Sequence, residues 1–183
     1  MEDSIVFKIE TITDFHAAGR NNSETSAYTD CYTVIWMESG NISMTLDYIP
    51  VQASGAGILF IGKDRIWSMP EAKGSVEYVM RFSAEFFCRK AADVRLLQRS
   101  AVFDVMRFIG MPAQETEAVA HIMSFLYNEY LARKEFSHDI VRLQLSMLML
   151  LSERIILLSD KTFLKRKKLG LASIAGVSPF GYL

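Results

Sequence analysis

The sequence predicts an α+β fold, with an antiparallel β-barrel or sandwich in its first half and an antiparallel pair of long helices in its second. Three observations carry this. Short runs rich in β-branched and aromatic residues, punctuated by turn formers, fill residues 5 to about 83. After "FSAEFF" the apolar period lengthens from two to about 3.6 residues. Only "EFS" separates the two helical segments, a connection so short that the helices must run antiparallel.

The elements follow in order. "CYTVIWMES", then Gly40-Asn41, then "ISMTLDYI" predicts a hairpin, because Gly-Asn supplies the positive φ that tight turns need. Pro50, Gly55 and Gly57 separate this from "ILFIG", and Gly74 separates "RIWSM" from "VEYVMRF". Pro112 suits a first helical turn, and Val119, Ile122, Leu126 and Tyr130 then form one stripe of a helix running to about Lys134. Ser137 is the expected N-cap of the second helix, with Asp139 near the positive end of its dipole and an end near Ser159.

This second helix is apolar almost all round. Ile140, Leu143, Met147, Leu150 and Leu151 make one stripe, while Val141, Leu145, Leu148, Met149 and Ile155 spread over the remaining circumference. Such a helix needs cover on more than one side. The strands and the first helix supply part of it, and a second copy of the chain, through a two-fold contact, supplies the rest. Leu143, Met147, Leu150 and Arg154 are the interface candidates for this homodimer. The simpler alternative is a central helix in a single core.

Composition narrows the function classes. With 183 residues, half of them apolar, the chain has room for one sizeable core. Its 20 basic and 21 acidic residues give a net charge of −1, which favours neither nucleic acid nor a membrane. Residues 161 to 168, "KTFLKRKK", hold five Lys or Arg and no acid, which fits either a solvated face or nucleic-acid contact. Cys31 and Cys88 lack CxxC spacing, and "MEDSIVFKIE" lacks the regions of a signal peptide, so a reducing, cytoplasmic location is expected. The most apolar stretch, residues 143 to 158, spans 16 positions and is interrupted by Ser146, Ser152, Glu153 and Arg154. It is too short and too polar to cross a bilayer.

Little in the sequence points to catalysis. His16, His121 and His138 stand in no HxH, HxxxH or HExxH arrangement, so no metal and no cofactor is expected. Neither GxSxG nor a P-loop is present; the glycines of "GAGILFIGKD" suit turns, and Glu115 and Glu117 suit the first turn of a helix. The first half does carry large, soft side chains on its strands: Tyr32, Trp36, Met44, Phe60, Trp67, Tyr78 and Met80. Alternation sends some of these inward, where a barrel of modest size holds a small ligand, although the same residues also serve as core. No buried charge is apparent that would select sugar, aromatic acid or peptide.

Taken in order, "DCYTVIWMESGNISMTLD", "GILFIGKDRIWSM", "EYVMRFSAEFF" and the two helices resemble the AraC family of bacterial transcription regulators over roughly residues 5 to 160. The resemblance implies a cupin-like β-barrel (double-stranded β-helix) for effector sensing over residues 1 to 90 and a helical dimerisation region over 91 to 160. Residues 161 to 183 would be a basic linker and an incomplete helix-turn-helix. Family members often carry histidines where this chain has residues around Asp30 and Trp67, and their absence argues against a cupin-like metal enzyme, which is the rival reading. The closing "LASIAGVSPFGYL" looks like the start of the family's first helix-turn-helix, with Ala172 packing between helices, Gly176 turning, Val177 reaching the core and Ser178 capping the recognition helix. That unit is incomplete, so DNA binding is expected of a full-length parent only. A third reading is a ligand-free interaction module.

Overall fold

The computed structural model describes residues 7–19, 30–73, 76–104 and 108–168. Within these, eight strands form two antiparallel sheets. The larger holds, in spatial order, β1 (Phe7–Thr11), β7 (Val76–Phe82), β2 (Tyr32–Met37), β5 (Gly57–Ile61) and β8 (Ile109–Gly110). The smaller holds β4 (Ile49–Ser54), β3 (Asn41–Leu46) and β6 (Trp67–Lys73). A short helix α1 (Ile12–Gly19) follows β1, and α2 (Ala84–Phe87), α3 (Ala91–Arg99) and α4 (Ala101–Asp104) lead to the long pair α5 (Ala113–Ala132) and α6 (Ser137–Lys168).

The α+β class and the strand-to-helix order match the sequence reading, but the sheets do not close into a barrel among the described residues. No strand of one sheet is hydrogen-bonded to a strand of the other. The predicted hairpin across Gly40-Asn41 is also absent, because β2 pairs with β5 and β7, whereas β3 pairs with β4 and β6. Gly40 (φ 101°) and Gly55 (φ 84°) instead carry the chain from one sheet to the other and back, tied together where Gly55 N–H donates to the Gly40 carbonyl at 3.0 Å. Gly57 has a separate reason: a Cβ there would lie 2.2 Å from the Phe108 ring.

The hairpin that does form, β3 to β4, turns at Asp47 and Tyr48, both left-handed (φ 49° and 67°) with no glycine to signal it. Asp47 is held there because its carboxylate accepts from Arg65 Nη1 at 2.5 Å and from Ile66 N–H at 3.1 Å. The Arg65 hydrogen bond, then that of Ile66, keeps the Asp47 carboxyl below the usual carboxylate range. Its stabilisation is therefore complete above the ordinary carboxylate pKa and is lost as the pH falls through the lower folded value. Asp47→Asn should cost about 1 kcal/mol or less in a neutral urea melt, as exposed pairs do, and the difference should vanish in acid.

The larger sheet is covered on both faces, which explains why β2 and β5 are apolar at consecutive positions rather than alternate ones. Toward the smaller sheet point Ile35, Met37, Leu59, Ile61 and Val79, packed on Ile42, Met44, Leu46 and Trp67. Toward the helices point Ile9, Val34, Trp36, Ile58, Phe60, Met80 and Phe82, packed on Val119, Ile122, Met123, Leu126, Leu145, Leu148 and Met149. Each large side chain fully buried in this way contributes on the order of 1.5–3 kcal/mol. Phe103 of α4 joins the layers, its ring 4.8 Å from Tyr32 and 5.5 Å from Phe60.

The helix pair lies close to its predicted bounds at three of four ends. Ser137 begins α6 but does not cap it: its hydroxyl accepts from Lys134 N–H and donates to Glu129 Oε1, while Phe136 O accepts the first helical N–H bonds, from Asp139 and Ile140. At its other end α6 passes Ser159 and runs to Lys168, so the basic run is helical in backbone. Glu153 of α6 reaches α4, accepting from Ala101 N–H at 2.7 Å. No helix among the described residues is long and apolar enough to cross a membrane.

Candidate functional site

Strand alternation brings an unexpected polar group into the space between the sheets. Across the larger sheet Lys8 lies opposite Arg81, Arg81 opposite Thr33 and Thr33 opposite Ile61, so these four share one face. Glu10, opposite Val79, belongs to the next row of that face. Ile61 and Val79 fix its direction, since both pack toward the smaller sheet.

Glu10 is 8% exposed, and both of its oxygens are engaged: Oε1 lies 2.5 Å from Lys8 Nζ and Oε2 2.8 Å from Arg81 Nη2. Lys8 and Arg81 thus share this one carboxylate. Of the seven buried side-chain atoms that have no hydrogen-bond partner among the described residues, three belong to this layer: Arg81 Nε, Thr33 Oγ1 and Trp67 Nε1. Leaving a buried donor unpaired costs about 1–3 kcal/mol, so such groups call for an explanation. Phe15 of α1 lies beside them, stacked on the Trp67 indole (5.6 Å between centroids, 14° between planes) and 5.8 Å from Arg81 Cζ.

The seven predicted pocket residues do not converge. Trp67 and Met44 lie between the sheets, whereas Trp36, Phe60 and Met80 belong to the helix-side core, with Tyr32 and Tyr78 packed against it. The sequence reading assumed that a covered strand has one inner face; here the sheet has two. The buried charge it did not find is the Glu10–Arg81 pair. Arg81 hides between apolar neighbours in "VMRF", and Lys8 and Glu10 alternate with apolar residues in "FKIET". Such inward-parity polar residues are the one available signal.

The α6 candidates lie together on open surface. Leu143 is 70%, Met147 45% and Leu150 56% exposed, and the Arg154 side chain is 56% exposed while its Nη2 lies 3.2 Å from Glu115 of α5. With Leu157 they follow the alternating four- and three-residue spacing of a helix-packing seam. Val141, Leu145, Leu148, Met149 and Ile155 face inward, and Arg142 turns over the Phe86 ring at 5.3 Å. Nothing among the described residues covers the seam. Ala172, Gly176, Val177 and Ser178 lie outside the described residues.

Catalytic groups remain dispersed. Burial pushes the Cys31 and Cys88 thiols up, away from thiolate chemistry. His138 packs edge-on against Phe86, and His16 against Phe15. His121 and Glu117 border a cleft of about 390 Å³ with Glu38, Thr116 and Ser124. Among the described residues no group of three or more His, Cys, Asp or Glu is placed to hold a metal ion. The sequence matches no protein-family model and no curated protein.

Proposed function

We propose that this chain is the sensing and dimerising part of an AraC-like transcription regulator, with the two sheets as a cupin-like sensor and α6 as the two-fold contact. The observation that carries the reading is the exposed seam of Leu143, Met147, Leu150, Arg154 and Leu157 on a helix whose opposite side is anchored in the core. An antiparallel pairing centred on Leu150 places Leu143 against Leu157 and Met147 within one residue of level with Arg154, so the surface is self-complementary. A small organic effector between the sheets would act by favouring one arrangement of the two subunits, and DNA would be read by a full-length parent.

The alternative of a ligand-free interaction module is favoured by one observation, the nine buried apolar residues that occupy the inter-sheet core. Both readings share the dimer. Its test is functional: the chain fused to a DNA-binding domain that represses a reporter only as a dimer should repress, and the same fusion carrying Leu143→Asp should not. Repression unaffected by that change would remove α6 as the contact.

A further inference from the structure

Taking the sensor reading as its premise, we propose that the end of the inter-sheet space bounded by Arg81, Thr33, Trp67 and Phe15 binds a small aromatic carboxylate. Chemistry selects the class. Arg81 Nε–H and Trp67 Nε1–H can only donate, and the Thr33 hydroxyl completes a set of buried groups that an acceptor-rich ligand would satisfy. Glu10 bonds Lys8 and Arg81 Nη2 and makes no hydrogen bond to any of the three. The unpaired Nε–H belongs to a guanidinium, whose charge-assisted hydrogen bonds suit a carboxylate acceptor.

The aromatic half follows from Phe15. A ring already lies parallel to the buried Trp67 indole and next to the Arg81 guanidinium, in the stacked position that a ligand's ring would take. Phe15 is only half-buried and stands on the eight-residue α1, whereas Trp67 is 1% exposed and stands on a paired strand. Phe15 is thus the side chain that yields, and it acts as an internal competitor for the site.

The test is titration of the whole chain with benzoate and phenylacetate, followed by calorimetry and by tryptophan fluorescence in a Trp36→Phe background that leaves Trp67 as reporter. Both acids should bind saturably. Acetate and benzyl alcohol, each lacking one half of the ligand, should bind at least about tenfold more weakly, the loss that accompanies one charge-assisted contact. Arg81→Gln should weaken benzoate by a similar factor. Phe15→Ala, or Phe15→Leu if the alanine variant does not fold, should bind benzoate more tightly than the parent chain. Binding should persist in Leu150→Arg, which separates failure of this site from failure of the subunit contact. Folded protein that binds neither acid with Phe15 present or removed, or an Arg81→Gln variant that binds them undiminished, would overturn the proposal.

Discussion

Leu150→Arg should convert the proposed dimer to monomer. In the proposed antiparallel pairing, residue 150 of one subunit would meet residue 150 of the other, so a single substitution would bring two arginines together in a largely apolar seam and remove two leucines from it. Like charges forced together at an interface cost several kcal/mol. A penalty of about 3 kcal/mol weakens the dissociation constant more than a hundredfold. The folded monomer should be unharmed, because Leu150 is 56% exposed and contributes little to the core beneath. Thermal unfolding of the variant, compared with the parent at concentrations where both are monomeric, checks this separation.

The largest effect on folding is expected at Phe82. It is fully buried at the end of β7, stacked on Tyr32 at 5.4 Å and tilted against Phe87 at 5.7 Å, and it joins the helix-side core. Phe82→Ala removes a ring that neighbours on two strands and α2 cannot collapse to fill. The cost should be about 3–5 kcal/mol. That is a large share of the 5–15 kcal/mol typical of a whole domain, so a urea melt should show the midpoint fall steeply or the native baseline disappear. Phe82→Leu keeps most of the volume and should cost much less.

The sequence was most legible where one period governs a long segment. Val119, Ile122 and Leu126 mark the buried side of α5, and all three are core in the structure. Turns were harder, since Gly40-Asn41 has hairpin chemistry yet carries the chain between sheets, while the true hairpin at Asp47-Tyr48 depends on Arg65 and Ile66, almost twenty residues away. Local propensity cannot report a restraint supplied from that distance. Strand facing failed for a related reason: consecutive apolar residues in β2 and β5 mean two covered faces, and choosing which face Trp36 or Phe60 takes requires the partner strands. The polar group of Lys8, Glu10, Thr33 and Arg81 comes from β1, β2 and β7, and only their register unites it.

Sedimentation equilibrium of the unmodified chain over a dilution series tests the assignment of α6 most directly. A dimer that dissociates reversibly on dilution, and that Leu150→Arg abolishes at every concentration, is the expected result. A chain that is monomeric throughout, or a dimer that Leu150→Arg leaves intact, would contradict the assignment of the Leu143 to Leu157 seam as the surface where two copies meet.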